Sequence, residues 1–172
     1  GDDTPGALAE GLKGGTGKPW SVVYQQEWFT PNVECQQSGR GDGKETEGLA
    51  FLSPSPLGTP STTRLPSSRI ALTVRPPSAG GMPITVTHLA SGKNNGAARA
   101  SEVEALVKWT ANLGTSQILL GDFNLKPADA ELQPVLTRWR DARTGGAAAE
   151  VRAGAGRTPG RAGRRVLFYQ GG

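Results

Sequence analysis

The chain of 172 residues is long enough for one domain with its own core, and 25 glycines and 13 prolines favour many short elements over a helical bundle. No apolar run reaches the length of a transmembrane helix, and the single cysteine excludes an internal disulfide and a cysteine zinc site. The formal net charge of +4 is unevenly spread, because residues 138–172 carry eight arginines against two acidic residues (+6) and residues 1–137 sum to −2.

The first quarter of the sequence predicts a helix, a strand and a loop. Apolar residues one helical turn apart behind Pro5 predict a helix over residues 4–12, which the glycine-rich stretch 14–17 ends. Aromatic and β-branched residues at 20–24 predict a strand. Residues 25–44 are polar and contain glycine, so we expect a long surface loop there.

The next part of the chain predicts three strands. Residues 48–53 are a candidate buried strand with Glu47 at its entrance, and residues 54–68, which contain four prolines, predict a loop. Apolar and polar residues alternate over 69–75 and again over 84–88. A turn-forming segment separates these two stretches, so we expect an antiparallel hairpin.

The second half predicts helices and strands in alternation. The most regular helical pattern covers residues 97–113 and is followed by Gly114, where a helix often ends. Residues 118–120 are apolar on both faces, as in a buried strand that ends at Gly121. The rest predicts a short helix over residues 128–138 and a loop rich in Gly, Ala and Arg over residues 142–163. A last strand is predicted at about residues 165–169.

The order of these elements predicts an α+β or mixed α/β fold. We expect a single domain over residues 1–172, with its core in residues 20–142. The sequence contains no internal repeat.

Two predicted strands end on residues that can do chemistry. His88 ends one strand, and Asp122 and Asn124 follow the other with Phe123 between them. If the extended geometry continues past Gly121, Asp122 and Asn124 point the same way and Phe123 points into the core. One helix separates the two strands, so a crossover would place their ends at one edge of a sheet. A carboxylate, a carboxamide and an imidazole together suit the hydrolysis of a phosphate ester.

Each of these signals also has an ordinary structural interpretation. A lone histidine at a strand end is more often a satisfied structural residue. An Asp-x-Asn sequence after a strand is more often a turn or a helix cap. The arginine-rich segment is as often a solvated loop as a surface that attracts a polyanion.

The chain carries Thr87-His88-Leu89, then a helix with Arg99, then Gly121-Asp122-Phe123-Asn124. This order resembles the pattern of the endonuclease/exonuclease/phosphatase superfamily, whose fold is DNase-I-like. The likeness is looser elsewhere, where Glu47 resembles the start of a family strand and Arg69 resembles a phosphate-contacting arginine. It covers most of the chain from the first predicted strand to the last.

The resemblance implies a four-layered sandwich of two mixed β-sheets flanked by helices. It implies a hydrolase that needs Mg²⁺ or Mn²⁺ and acts on a phosphate-ester substrate, with a phosphodiesterase or nuclease foremost and nucleic acid among the substrates. Asp122 would activate or orient water, Asn124 would fix the water and the phosphate, and His88 would stabilise the pentacovalent phosphorus. Asp122 and Asn124 would bind the metal, while Glu47 and Arg69 would contact substrate. We expect a monomer.

The chain departs from the family pattern at several positions. The family's metal-binding glutamate follows a glutamine at the end of an early strand. Gln26-Glu27 matches this dipeptide, but we predict Glu27 to be a loop residue. The usual glutamate ligand of the metal is then absent from the chain. No second histidine matches the family's closing Asp-His pair, and Leu167 stands where the late strand would carry Asp. The expectation is a chain truncated at both ends relative to the family.

Three hypotheses follow and stay open at this point. The chain is a piece of a metal-dependent phosphohydrolase with little activity of its own, a degenerate member that binds without cleaving, or a basic module that attracts nucleic acid. The chain begins at Gly1 without a signal-peptide pattern, so cytoplasmic and secreted locations are both open.

Overall fold

The computed structural model describes residues 4–29, 46–142 and 165–170 of the chain. These residues form three α-helices, α1 (Thr4–Thr16), α2 (Gly96–Ala111) and α3 (Gln133–Leu136). They also form eight strands: β1 (Ser21–Phe29), β2 (Thr46–Ser53), β3 (Ser61–Arg64), β4 (Ile70–Val74), β5 (Ile84–His88), β6 (Gln117–Asp122), β7 (Arg140–Asp141) and β8 (Arg165–Gln170). No helix in this part of the chain has the length and apolar character needed to span a membrane.

The strands belong to two sheets. β1 and β2 form an antiparallel pair, and the other six strands form a mixed sheet in the order β3-β4-β5-β6-β8-β7. The predicted hairpin of β4 and β5 is confirmed. β5 and β6 run parallel with α2 between them in sequence, as the predicted crossover requires. The chain is therefore α+β with two sheets and flanking helices, and β5 and β6 end at the same edge.

The core lies between the mixed sheet and α2. Val103 and Leu106 of α2, three residues apart on one helical face, are fully buried in one cluster with Leu119 of β6 and Leu167 of β8. Phe123, just after β6, is also fully buried there. Each such side chain contributes about 1.5–3 kcal/mol by leaving water, so this cluster fixes β6 and the residues after it.

Several element boundaries differ from the sequence predictions. Helix α1 runs four residues further than predicted, through Gly14 and Gly15, and the left-handed Gly17 ends it. β1 continues through residues 25–29, so the predicted loop is wrong there, because pairing with β2 outweighs the polar sequence. β3 lies inside the predicted loop 54–68 and pairs with β4. The rest of the first loop and residues 143–164 lie outside the described residues.

Candidate active site

Glu27 lies on β1 at a bulge in its pairing with β2. The register shifts between Gln26 and Trp28, so Glu27 is the extra residue on its strand. A bulge re-aims a side chain, and the carboxylate here is 3% exposed and accepts a hydrogen bond from the Ile70 N–H at 3.0 Å. The prediction that Glu27 is a loop residue is therefore wrong. The strand and an ion pair with Arg69 hold Glu27 at the edge of the mixed sheet.

Arg69 lies between Glu27 and His88. Its Nη1 donates to Glu27 Oε2 at 3.1 Å and lies 3.4 Å from His88 Nδ1. The arginine is 8% exposed. A guanidinium can only donate, so Nδ1 of a neutral His88 accepts and Nε2 carries the ring proton. One buried arginine thus fixes both a carboxylate and the tautomer of the imidazole.

His88 and Asp122 end neighbouring parallel strands and are partners in the register. The Leu89 N–H donates to the Asp122 carbonyl at 2.9 Å. Gly121 has φ 154°, and a Cβ there would lie 2.1 Å from the Thr87 carbonyl oxygen, so only glycine allows this approach. The predicted meeting of the two strand ends at one edge is confirmed.

The backbone turns after Asp122 instead of staying extended. Asn124 has a left-handed φ of 48°, and its N–H donates to Asp122 Oδ1 at 2.9 Å. Asn124 Nδ2 donates to the Leu89 carbonyl at 2.9 Å, so Oδ1 is the amide atom left to accept. The condition for the two side chains to project side by side, extended backbone through Asn124, is therefore not met. The predicted burial of Phe123 is confirmed.

Burial dominates the electrostatics of this edge. It raises the pKa of Glu27 above its ordinary value, although the hydrogen bond from Ile70 and the charge of Arg69 oppose it. It also lowers the pKa of His88, and the charge of Arg69 adds to this effect, while Asp122 acts against it. His88 is therefore neutral at pH 7, consistent with the tautomer that Arg69 selects.

Glu47 lies at the exposed side of the same edge. Its side chain is exposed. Its negative charge adds to the rise in the pKa of Glu27 and opposes the fall in the pKa of His88. The structure thus brings Glu47 and Arg69 to the edge that holds His88 and Asp122. Their contact with substrate stays a prediction.

The oxygen atoms that suit a divalent cation come from Glu27, Asp122 and Asn124. The described residues contain no group of three His, Cys, Asp or Glu side chains placed to hold a metal. Mg²⁺, however, usually keeps several waters and takes one or two protein carboxylates plus substrate phosphates. Each Glu27 oxygen accepts one hydrogen bond and has a second lone pair. A buried carboxylate of this kind fits such an ion.

Two residues of α2 hold the loop that follows His88. Arg99 Nη1 donates to the Ala90 carbonyl at 3.1 Å and to the Gly92 carbonyl at 2.8 Å. Glu102 Oε2 accepts from the Ala90 N–H at 2.8 Å. Sequence reasoning singled out the arginine and missed the glutamate. The signal that could have found the pair is two charged residues three apart on the buried face of a helix.

The comparisons with known proteins concern the family and the fold of the chain. A family model described as the Endonuclease/Exonuclease/phosphatase family matches residues 2–168. A comparison with curated protein sequences found no match. Among solved structures, the human Nocturnin catalytic domain with bound sulfate anion is 20% identical, with a TM-score of 0.58, and the match covers 76% of this chain and 50% of that one.

Two D. rerio TDP2 structures are also similar. One is humanized by 14 mutations, is 20% identical and has a TM-score of 0.47, over 76% of this chain and 58% of that one. The other, complexed with single strand DNA product, is 22% identical with a TM-score of 0.46, over 77% and 60%. The chain therefore spans between half and three fifths of the length of these structures.

Proposed function

This chain belongs to the endonuclease/exonuclease/phosphatase family and has a DNase-I-like fold, and from this premise we propose that it is a metal-dependent phosphoester hydrolase, a phosphodiesterase or nuclease foremost. One observation carries the proposal. Arg69 Nη1 joins Glu27 and His88 at 3.1 and 3.4 Å, and His88 pairs in register with Asp122. A carboxylate, a neutral imidazole and a second carboxylate thus meet at one edge.

The side chains have complementary roles in this proposal. Asp122 orients the attacking water and takes its proton, since an aspartate beside a substrate can act as a general base. Asn124 Oδ1 holds the same water. Nε2–H of His88 donates to a phosphoryl oxygen and stabilises the charge that develops there. Arg69 positions Glu27 and His88, because its guanidinium is buried, bonded to Glu27 and close to His88, and its contact with substrate stays a prediction.

Glu27 is the side chain we propose as the main ligand of Mg²⁺ or Mn²⁺, with Asp122 and Asn124 contributing oxygens. The bound ion would neutralise charge on the phosphoryl group. Glu47 lies at the exposed rim, where it would contact groups of the substrate outside the phosphate. His88 is the single histidine of the chain, so no second imidazole assists Asp122 in activating the water, and we expect slow turnover.

The test is hydrolysis of bis(p-nitrophenyl) phosphate with saturating Mg²⁺. We expect Asp122→Asn to lower kcat by about 100-fold or more, since general base catalysis contributes about 10²–10⁴. Glu104→Gln, which changes an exposed carboxylate on α2, is the matched control and should leave kcat unchanged. Equal rates for the wild type and Asp122→Asn would overturn the proposed role.

A basic nucleic-acid-binding module is the second candidate, and the charge of +6 over residues 138–172 favours it. Deleting residues 150–172 is a poor test, because it removes β8, which pairs with both β6 and β7. Changing Arg152, Arg157 and Arg161 to Gln avoids this loss. DNA binding that this triple variant abolishes and Asp122→Asn leaves intact would support the module.

A further inference from the structure

The bulge at Glu27 leaves this residue without a partner in the register between β1 and β2. The ladder does not pair the extra residue of a bulge, so its backbone groups need other partners. Arg64 of β3 provides one, because its Nη1 donates to the Glu27 carbonyl oxygen at 3.0 Å. This bond is partly buried and crosses from the mixed sheet to the two-stranded sheet. The bulge is therefore held from outside its own sheet.

The hairpin of β3 and β4 holds Glu27 by its backbone and by its side chain. Arg64 and Ile70 are partners in the register of this hairpin. Arg64 bonds the Glu27 carbonyl, while the Ile70 N–H bonds Oε1 of the carboxylate. Arg69, next to Ile70, bonds Oε2. Among these three bonds, the one from Arg64 alone fixes the backbone from which the carboxylate extends.

The turn of this hairpin keeps its two strands at a fixed spacing. The Leu65 N–H donates to the Arg69 carbonyl at 2.9 Å, and the Arg69 N–H donates to the Pro66 carbonyl at 3.2 Å. Leu65 is buried in the core cluster. Ser67 and Ser68 have left-handed backbones, with φ of 58° and 62°, a conformation that persists only where the surroundings determine it. The hairpin is therefore a rigid support for the bond to β1.

Arg64 and Arg69 differ in what their removal would do. Arg69 is buried and pairs with a carboxylate, so its removal leaves a buried charge alone. Arg64 is exposed and bonds a neutral carbonyl, so its removal leaves no charge unpaired. Loss of Arg64 would release the backbone at Glu27 and leave the ion pair in place. The effects of the two arginines can therefore be separated by experiment.

We propose that Arg64 is a positioning residue of the metal site: its bond to the Glu27 carbonyl fixes the bulge that sets the direction of the Glu27 carboxylate. The inference rests on the proposed function, because it takes Glu27 to be the main metal ligand. Loss of a residue that orients a metal ligand typically costs about 10–100-fold in metal affinity or activity. Arg64 therefore acts on the affinity for the metal, while the groups that do the chemistry are unchanged.

Calorimetry of Mn²⁺ binding to the full chain, without substrate, tests this role. We expect Arg64→Met to raise the Mn²⁺ dissociation constant about tenfold. Arg64→Lys keeps a donor on a long stem and should recover most of the loss. Arg75→Met is the matched control, since Arg75 is exposed, follows the end of β4 far from Arg69 and donates to the carbonyls of Gly81 and Leu113. This control should bind Mn²⁺ like the wild type.

The rate of the loaded enzyme separates positioning from catalysis. With saturating Mn²⁺, kcat for bis(p-nitrophenyl) phosphate should stay within about twofold of the wild type in Arg64→Met, because Asp122, Asn124 and His88 are unchanged. A large fall in kcat with an unchanged Mn²⁺ affinity would overturn the inference.

Amide hydrogen exchange in metal-free buffer gives a measurement that needs neither metal nor activity. The Ile70 N–H is bonded to Glu27 Oε1, so its exchange rate reports whether the carboxylate stays in place. Arg64→Met should speed this exchange about fivefold more than that of the Leu119 N–H in β6. Equal speeding at both amides would mean a general loss of stability and would overturn the inference.

Two further outcomes overturn the inference: Mn²⁺ binding by Arg64→Met that equals the wild type, and a loss of affinity that Arg75→Met shares. If Arg64→Met does not fold, as circular dichroism would show, Arg64→Thr takes its place, since threonine is favoured in strands. Failure of the proposed function is seen separately, as no hydrolysis of bis(p-nitrophenyl) phosphate by the wild type. A wild-type chain that binds no Mn²⁺ would overturn both.

Discussion

Arg69 connects two side chains that are far apart in the sequence and adjacent at the candidate site. Its guanidinium bonds the Glu27 carboxylate and lies beside the His88 imidazole, and all three side chains are buried or half-buried. A buried ion pair adds little net stability, since desolvation offsets its attraction, but removing one partner leaves a buried charge alone. The pair therefore acts mainly to hold Glu27 and His88 in place.

The first prediction concerns this pair. Arg69→Met should lower the free energy of unfolding by about 3 kcal/mol or more, because it leaves Glu27 buried without its cation. The double variant Glu27→Met/Arg69→Met should lose less than the single one, since no charge remains buried. Urea unfolding measures both, with the exposed Arg138→Met as control, expected within about 0.5 kcal/mol of wild type. A double variant less stable than Arg69→Met would contradict the interpretation.

The second prediction concerns the pH response of His88. Its pKa lies below the ordinary 6.5, first because of burial and then because of Arg69. The unfolded chain therefore takes up the proton more readily than the folded one. The neutral imidazole of His88 therefore contributes fully to the stability of the folded chain above pH 6.5. This contribution is lost as the pH falls through the pKa that His88 has in the folded chain. His88 is the only histidine, so a single NMR titration in metal-free buffer reports its pKa directly.

An NMR midpoint at or above 6.5 for His88 would show that the imidazole is not buried against Arg69. Arg69→Met is the matched variant for this measurement. Removing the guanidinium should move the midpoint upward, because the second cause of the shift is gone.

At the scale of elements, α2 is more than a crossover between β5 and β6. Glu102 and Arg99 both bind Ala90, two residues after His88, and Asn124 binds Leu89 between them. The helix thus fixes the loop at the end of β5 against the end of β6.

The third prediction tests this role of α2. Glu102→Ala should lower the free energy of unfolding by about 1–3 kcal/mol, because the buried Ala90 N–H loses its acceptor. Glu102→Gln keeps an acceptor and should lose less. Glu104→Ala, an exposed position on the same helix, is the control and should change stability by less than about 0.5 kcal/mol. An equal loss of unfolding free energy in Glu102→Ala and Glu104→Ala would contradict this role of α2.

The fourth prediction concerns the close approach of β5 and β6. Gly121→Ala should destabilise the fold strongly, since its Cβ would lie 2.1 Å from the Thr87 carbonyl oxygen and φ is 154°. Gly11→Ala, in α1, places its Cβ with no described atom within 4 Å and should stabilise by about 0.5–1 kcal/mol. Thermal unfolding of the two variants should therefore shift in opposite directions. A tolerated Gly121→Ala would argue against the observed register.

At the scale of the molecule, the parts that the sequence predicted are those with a strong local pattern. The alternation in β4 and β5, the helical spacing in α2 and the apolar run of β6 predicted the edge that holds His88 and Asp122. Polar strands were missed, since β3 is Ser-Thr-Thr-Arg and the end of β1 is held by pairing with β2. The position of Glu27 at the site was also missed, because Arg69, the residue that bonds its carboxylate, is 42 residues away in the sequence.

The function of the arginine-rich segment, residues 138–172, is not decided by its composition. Its charge is plain from composition, and most of it lies outside the described residues. The prediction that it binds nucleic acid therefore stays a prediction, to be decided by the arginine variants above. Likewise, the monomeric state and the location in or outside the cell stay predictions.

The central claim is that Glu27, which the sequence pattern placed in a loop, is a metal ligand of a phosphohydrolase site. The most direct test is kcat/KM for bis(p-nitrophenyl) phosphate as a function of Mg²⁺ concentration. We predict a Mg²⁺-dependent wild-type rate that Glu27→Gln lowers by about 100-fold or more, with a higher Mg²⁺ concentration at half-maximal rate. Glu104→Gln should match the wild type. A Glu27→Gln chain with the wild-type response to Mg²⁺, or a wild-type rate unchanged by EDTA, would contradict the claim.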